Sequence, residues 1–283
     1  MSPTWQPSKV VASRYQLEQH LGSGGAGEVW RALDLKLRAH VAIKLLDPAL
    51  TNAVTAQRFL KEAQSAARIR SLHVVQILDQ GFDGALAYIT MELLEGETLA
   101  DRLDRVERLS PEKVHRVVRD VSRALAKAHD AGIVHRDLKP ANIFLVGGED
   151  LDDEVAKVFD FGIAKVKIDD GALTDLTQAG TLLGTPHYMS PEQALGKAVD
   201  YRTDLYSLGI LAFEALTGRL PFDAEDLAEI LSFAAAGELV RPSAVANVPR
   251  AFDIWFAKAT HFDPAQRFAS AKDQAAALKA ILR

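Results

Sequence analysis

The chain of 283 residues contains no cysteine. Disulfide bonds, thiolate catalysis and zinc sites built on cysteine are therefore excluded. The absence fits a reducing compartment, so we predict a cytoplasmic location. The same expectation covers a second arrangement, in which the chain is the cytoplasmic part of a longer, membrane-anchored protein.

A basic excess is also absent, since the formal net charge is −5. Nucleic-acid-binding domains normally carry a positive excess, so we expect no nucleic-acid partner. The N-terminus lacks the basic-then-apolar pattern of a secretory signal. The most apolar helical run covers residues 205–213. It is far shorter than the roughly 20 residues that span a bilayer, so we interpret it as a buried core helix and expect no membrane contact.

The composition is that of an ordinary globular protein, with 48% hydrophobic and 25% charged residues. The length suffices for one large domain or two lobes with a sizeable core. Residues 1–13 are predicted to be a weakly ordered leader. An acidic, glycine-containing connector follows an apolar strand at residues 92–97, so we place the boundary between a first lobe, 14–94, and a second lobe, 95–283, there.

A polar cluster, residues 135–142, lies between an apolar helical pattern and the strand-like residues 143–146. Core packing explains such a cluster poorly, although an ordinary solvated loop is an alternative. Asp137 has a carboxylate that could accept a proton from a hydroxyl group, and Lys139 could neutralise charge beside it. Asn142 could supply an oxygen ligand to a metal ion.

Three glycines, Gly22, Gly24 and Gly27, form a G-x-G-x-x-G pattern near the N-terminus. Dinucleotide-binding folds and chance turns share this pattern, but the dinucleotide version requires a helix directly after the glycines. Here the following residues have the aromatic and β-branched content of a strand. The sequence therefore predicts a strand–turn–strand hairpin whose backbone N–H groups can approach a phosphate.

Lys44 ends the apolar strand 41–44, and Glu62 lies at the edge of the apolar stripe of a helix predicted over residues 52–70. Each is alone explained by an ordinary surface charge. Farther along, Asp160-Phe161-Gly162 follows a second short strand, although such a triplet is also a common turn. The segment 163–191 contains several threonines and little apolar periodicity, which is typical of a functional or disordered segment.

Taken together, these motifs resemble the catalytic domain of eukaryotic-like serine/threonine protein kinases, in particular bacterial members, over roughly residues 14–282. The resemblance implies an α+β, protein-kinase-like bilobal fold with a small antiparallel-sheet N-lobe, one main helix there, and a larger, mostly helical C-lobe. It implies transfer of the γ-phosphate of ATP to serine or threonine hydroxyls of protein substrates in signal transduction, with autophosphorylation of the activation loop. The implied cofactors are ATP and Mg²⁺, with Mn²⁺ as an alternative. A homodimer would permit autophosphorylation in trans.

The resemblance also assigns roles to residues. The implied catalytic residues are Asp137, Lys139, Lys44, Glu62 and Thr185. The implied ATP-binding residues are Leu21, Gly22, Ser23, Gly24, Gly25, Ala26, Gly27, Val29, Ala42, Lys44, Met91, Glu92 and Leu94. Asn142 and Asp160 are the implied metal ligands, and Thr177 and Thr181 the implied phosphorylation sites of the activation loop.

Two structural contacts follow from the same resemblance. Asp204 is expected to accept backbone N–H groups of the catalytic loop, although a charge at a helix N-terminus explains it almost as well. Arg267 is expected to pair with Glu192, for which an ordinary surface arginine is the alternative. The triplet Ser190-Pro191-Glu192 stands where the family usually has Ala-Pro-Glu, a mild departure.

Two other classes of protein remain open at this point. A small-molecule phosphotransferase shares an aspartate and an asparagine at similar spacing, but Lys139-Pro140, the threonine-rich segment and Pro191-Glu192 argue against it. A pseudokinase scaffold would bind partners without turnover. Every catalytic position of the family pattern is filled, which disfavours that class.

Overall fold

The computed structural model describes residues 5–24, 27–46, 53–147, 154–161, 186–222 and 239–282, together with 229, 232–233 and 236. The chain divides into two compact units. Unit 1 contains residues up to 70 and residues 75–95, and unit 2 contains residues 71–74 and everything from residue 96 onward. No helix within the described ranges is long and apolar enough to cross a membrane.

Unit 1 is built on a six-stranded antiparallel sheet with the order β1-β2-β3-β4-β6-β5. Its strands are β1 (Val10–Val11), β2 (Tyr15–Gly24), β3 (Gly27–Asp34), β4 (Ala39–Leu46), β5 (Ile77–Asp83) and β6 (Leu86–Glu92). Residues 71–74 belong to unit 2, where Val74 makes an isolated parallel bridge to Val158.

The prediction of a weakly ordered leader over residues 1–13 is wrong for strand β1. Val10 pairs with Gln16 and Val11 with Tyr15. Val11 is fully buried among the core residues Leu17 and Trp30. A two-residue strand has too short a pattern to be recognised in a sequence, because the pairing that creates it comes from the partner strand.

The glycine-rich segment forms the predicted hairpin, with β2 and β3 in register down to the pair Gly24 and Gly27. Gly27 has a φ angle of +145°, which side chains rarely adopt. A Cβ atom there would lie 1.9 Å from the backbone oxygen of Leu45. The close approach of β3 to β4 at this point therefore requires glycine.

Helix α1 (Ala53–Ala66) packs on one face of this sheet. Phe59 and Ala63 of the helix are buried against Leu46 and Ile89 of the sheet. The helix is shorter than the predicted range 52–70, since residues 67–68 form a turn after its end. The helix is thereby fixed to the face of β4 and β6 that carries the residues discussed below.

Unit 2 is mainly helical. Its helices are α2 (Leu99–Val106), α3 (Pro111–Asp130), α4 (Pro191–Ala194), α5 (Arg202–Thr217), α6 (Pro242–Val245), α7 (Arg250–Ala259) and α8 (Ala271–Lys279). Helix α3 begins with Ser110 as N-cap and proline at the first position. Helix α5 is buried on nearly every side and ends at Gly218, whose φ of 73° provides a left-handed cap. The predicted core helix is confirmed.

A small antiparallel sheet of β7 (Gly96–Thr98), β8 (Ile143–Val146) and β9 (Val155–Val158) lies in unit 2. Arg102 of α2 is buried and forms ion pairs with Glu97 in β7 and with Glu154, which directly precedes β9. This cluster connects α2 to two strands of the sheet. A 3₁₀ turn, Pro140–Asn142, leads into β8, so the polar segment lies at the N-terminal end of the central strand of this sheet.

Candidate active site

Asp137 is the centre of a compact polar group in unit 2. Lys139 Nζ lies 3.1 Å from its Oδ2 atom, and the two side chains are 17% and 20% exposed. Asn142 Nδ2 donates to the Asp137 backbone oxygen at 2.8 Å and lies 3.3 Å from Oδ2. The 3₁₀ turn returns Asn142 toward Asp137, which explains why a spacing of five residues brings them together.

His135 is fully buried beneath Asp137. Its Nδ1 atom accepts a hydrogen bond from the Asp137 N–H at 3.2 Å, and its Nε2 atom lies 3.0 Å from the backbone oxygen of Phe159. An N–H donor on one side and a carbonyl acceptor on the other fix the neutral tautomer with the proton on Nε2. Burial lowers the pKa of His135, which agrees with a neutral ring.

Asp204, in the first turn of α5, holds the backbone that precedes Asp137. It is fully buried, and its two carboxylate oxygens accept the N–H groups of His135 at 2.9 Å and Arg136 at 2.8 Å. His129 Nε2 lies 2.8 Å from the same carboxylate. The expected contact between Asp204 and the polar segment is confirmed, and the alternative of a simple helix-dipole charge does not account for these bonds.

Arg136 and Asp160 both have left-handed backbone conformations, with φ angles of 63° and 55°. Residues other than glycine rarely adopt this region and keep it only where surrounding contacts demand it. In Arg136 the N–H is held by Asp204, and the carbonyl accepts from Gln193 Nε2 at 2.9 Å. The N–H and the carbonyl group of Arg136, the residue before Asp137, are thus both held by hydrogen bonds.

Asp160 follows β9 and is exposed. The preceding Phe159 N–H donates to the Asn142 backbone oxygen at 3.1 Å. A backbone hydrogen bond therefore joins the two segments that carry the predicted metal ligands, Asn142 and Asp160. Phe161 is 2% exposed, and its ring lies 4.7 Å from that of His135. Gly162, the third residue of the triplet, lies outside the described residues.

In unit 1, strand register places four predicted ATP-binding residues on one sheet face. Lys44 is opposite Val29, and Ala42 is opposite Met91. Directly opposed residues share a face, as do residues two apart in one strand. Lys44 is also opposite Ile89, against which α1 packs, so this face also carries the helix that contains Glu62.

The remaining described members of the predicted ATP-binding set lie in the β2–β3 hairpin, at the end of β6 and in the connector that follows β6. Leu21 is 46% exposed on β2, and a Cβ atom added at Gly22 would meet no described atom within 4 Å. Glu92 ends β6 and is joined to Gln76 by two hydrogen bonds, of 3.0 Å from its own N–H and 2.8 Å to its Oε1 atom. Ser23 pairs with Glu28 in the hairpin, and Leu94 is partly buried in the connector.

Five predicted residues lie outside the described residues: Gly25, Ala26, Thr177, Thr181 and Thr185. Glu62 lies within α1, but its side chain is outside the description, and Gly24 is placed only through its pairing with Gly27. Their roles stay predictions.

Sequence similarity to known proteins identifies the family of this chain. The family described as "Protein kinase domain" matches residues 15–273. The chain belongs to the protein kinase family. It is 39% identical over 281 residues to the serine/threonine-protein kinase pkn3 of Myxococcus xanthus, which covers 96% of this chain. It is 38% identical over 276 residues to the serine/threonine-protein kinase PknL of Mycobacterium tuberculosis, which covers 97% of this chain.

The solved structures place the kinase domain in the same fold. The crystal structure of the Mycobacterium tuberculosis PknI kinase domain superimposes with a TM-score of 0.77 at 26% identity, over 98% of this chain and 99% of that one. The predicted bilobal α+β kinase fold and the bacterial serine/threonine type are confirmed. The chain spans 51% of the length of pkn3 and 67% of PknL, which are longer proteins.

Sequence reasoning assigned no role to two residues that the structure places beside Asp137. His135 was part of the polar segment, but nothing in the sequence shows that its ring joins Asp137 to Phe159. Gln193, three residues after Ser190, carried only the spacing of a capping box as a signal. Its contact with Arg136 joins positions 57 residues apart.

Proposed function

We propose that this kinase domain transfers the γ-phosphate of ATP to serine and threonine hydroxyls of protein substrates, as a step in signal transduction, with Asp137 at the reacting centre. The observation that carries the proposal is the direct contact of Asp137 with Lys139 and Asn142. The carboxylate of Asp137, the ammonium group of Lys139 and the side-chain amide of Asn142 thus lie together in one short segment. This is the set of groups that phosphoryl transfer uses.

Asp137 would orient the substrate hydroxyl and accept its proton as the oxygen attacks the γ-phosphorus. A general base contributes about 10²–10⁴-fold to the rate when it is held at hydrogen-bonding distance. Three hydrogen bonds to the backbone of residues 135–137, made by the side chains of His135, Asn142 and Asp204, support such positioning. Lys139 would stabilise the charge that develops beside Asp137 in the transition state.

We propose ATP with Mg²⁺ as cofactors, with Asn142 and Asp160 as the protein ligands of the metal and Mn²⁺ as an alternative ion. Asn142 uses its Nδ2 group on Asp137, which leaves its amide oxygen for a cation. An amide oxygen and a carboxylate form the hard oxygen set that Mg²⁺ prefers. No group of three or more metal-binding side chains occurs in the described ranges, so the remaining ligands would be phosphate oxygens and water. The bound ion would neutralise phosphate charge.

In unit 1, Lys44 is proposed to bind the α- and β-phosphates, held in place by Glu62 of α1. The shared sheet face of Lys44 and α1 supports this assignment. Leu21 through Gly27 would cover the phosphates, and the open space at Gly22 leaves room for them. Val29, Ala42 and Met91 would contact the base, with the backbone of Glu92 to Leu94 hydrogen-bonding its edge.

Regulation is proposed to act through the segment 163–189. The Nε atom of Arg136 is buried and has no hydrogen-bond partner within the part of the chain that the structure describes. A phosphothreonine, which carries a charge of about −1.5 to −2, would supply one. Thr177 and Thr181 are the proposed sites, modified by autophosphorylation within a homodimer, and Thr185 is proposed to bind the Asp137–Lys139 pair. A cytoplasmic location would give the domain its ATP.

Incubation with Mg²⁺ and γ-labelled ATP, followed by mass spectrometry, tests the proposal. Label on serine or threonine of the protein itself, or of dephosphorylated casein, is the expected result. Label that reaches only small metabolites would favour a small-molecule phosphotransferase. Melting stabilised by ATP without any turnover would favour a pseudokinase scaffold.

A further inference from the structure

Gln193 occupies a junction that the activity described above does not explain. It belongs to the short helix α4, which follows the segment 163–189. Its side chain reaches the polar segment, residues 135–142, in the same unit. Its Nε2 group donates to the backbone oxygen of Arg136 at 2.9 Å. Its Oε1 atom accepts from the Ser190 N–H at 3.2 Å and from the Thr203 hydroxyl at 2.7 Å.

The orientation of this amide is fixed by its partners. A backbone N–H can only donate and a backbone carbonyl can only accept, so the oxygen must face Ser190 and the nitrogen must face Arg136. Ser190 and Thr203 are fully buried, and their hydroxyl groups are hydrogen-bonded to each other. The serine that departs from the usual alanine thus supplies a buried hydroxyl to the acceptor side of Gln193.

The other end of Gln193 holds a strained residue. Arg136 has a φ of 63°, and its N–H is already fixed by Asp204 at 2.8 Å. Its carbonyl group forms the peptide bond to Asp137, so the plane of that peptide depends on what binds the oxygen. Without the donor from Gln193, the peptide could rotate and the Asp137 side chain would move with it.

We propose that Gln193 is a positioning residue for Asp137, which connects the end of the segment 163–189, through Ser190 and Thr203, to the peptide between Arg136 and Asp137. This inference rests on the proposed kinase function. A rate can fall about 100-fold when a reacting group shifts by about 1 Å, so a small rotation of this peptide suffices for a large effect.

Gln193→Glu separates the two halves of the contact. The carboxylate keeps the acceptor for Ser190 and Thr203 but places negative charge against the Arg136 carbonyl. Once protonated, the glutamic acid regains a donor for that carbonyl and again matches the amide. Gln193→Met removes both halves at similar size. Gln274→Glu is the control, because Gln274 likewise donates to a backbone carbonyl, that of Leu205 at 3.0 Å; it is fully buried, whereas Gln193 is half-buried.

We expect Gln193→Glu to lower kcat about 10- to 100-fold at about pH 8, with the KM for ATP changed less than about twofold. Partial burial and the facing Arg136 carbonyl disfavour the charged form of the introduced glutamate, so its pKa should lie above the ordinary value of about 4.3. The activity of Gln193→Glu relative to the wild type should therefore recover as the pH is lowered toward about 6, while Gln193→Met should show a pH-independent loss. The acceptor is dephosphorylated casein. Folded Gln274→Glu should retain kcat, and melting temperatures identify any variant that does not fold.

Hydrogen–deuterium exchange of residues 133–142 gives a readout that does not need turnover. Both Gln193 variants should exchange faster there than the wild type, whereas Gln274→Glu should not. Wild-type kcat and wild-type exchange in both Gln193 variants would overturn the inference, as would a loss that only follows the melting temperature. An inactive wild type with faster exchange in the variants would instead contradict the proposed function and leave the positioning contact established.

Discussion

Arg267 forms a bidentate ion pair with Glu192, in which each terminal guanidinium nitrogen lies 2.7 Å from a different carboxylate oxygen. The two side chains are 0% and 8% exposed, so the pair is buried. Arg267 also donates to the backbone oxygens of Arg202 and His261, at 2.9 Å and 2.8 Å. The expected pairing is confirmed, and it fixes α4 to the segment that precedes α8.

Removing one partner of this pair should be strongly destabilising. Arg267→Gln would leave the Glu192 carboxylate buried without its counter-ion, which costs about 3–5 kcal/mol. Urea unfolding should show that loss in the free energy of unfolding. Arg123→Gln is the control, since Arg123 is 56% exposed and 3.6 Å from Asp120, and its pair should contribute about 1 kcal/mol or less. Equal losses in the two variants would contradict the buried pair.

The sequence predicted the elements that depend on local patterns. The proline and serine at the start of α3, the glycine after α5 and the hairpin of glycines each have a signal within a few residues. The networks around Asp137 have no such signal. Gln193 meets Arg136, and Arg102 meets Glu154, only because the fold brings distant segments together. Strand β1 was missed for the same reason, since its partner strand defines it.

His135 should make stability depend on pH. Burial lowers its pKa in the folded state, so between that value and the ordinary value of about 6.5 the unfolded chain binds the extra proton. Its contribution is therefore complete above about pH 6.5 and decreases as the pH falls below it. His135→Phe should be less stable at about pH 7.5 and should lose less stability on acidification to about pH 5.5. Urea unfolding at both pH values measures the difference, and parallel pH profiles would contradict it.

Two glycines of the hairpin should respond differently to alanine. Gly27→Ala places a Cβ atom 1.9 Å from the Leu45 oxygen at a φ of +145°, so we expect a lower melting temperature. Gly22→Ala meets no described atom within 4 Å and should melt close to the wild type. Because Gly22 is proposed to lie beside the phosphates, its variant should weaken ATP binding in calorimetry. A melting loss at Gly22 with unchanged ATP affinity would contradict both statements.

Asp160→Asn should change the metal requirement. Asparagine tolerates the left-handed backbone at this exposed position, so folding should be preserved. Loss of a carboxylate ligand should raise the Mg²⁺ concentration for half-maximal transfer by about tenfold or more. Asp130→Asn, an exposed change at the end of α3, is the control and should leave the Mg²⁺ titration unchanged. An unchanged titration for Asp160→Asn would exclude it as a ligand.

The role of Asp137 is tested most directly by the rate of γ-phosphate transfer from ATP in a single turnover. Asp137→Asn keeps the size of the side chain and removes the base, so we predict a loss of about 10²–10⁴-fold with an unchanged circular dichroism spectrum. Asp130→Asn should transfer phosphate at the wild-type rate. Wild-type transfer by Asp137→Asn would contradict the assignment of Asp137 as the group that activates the substrate hydroxyl.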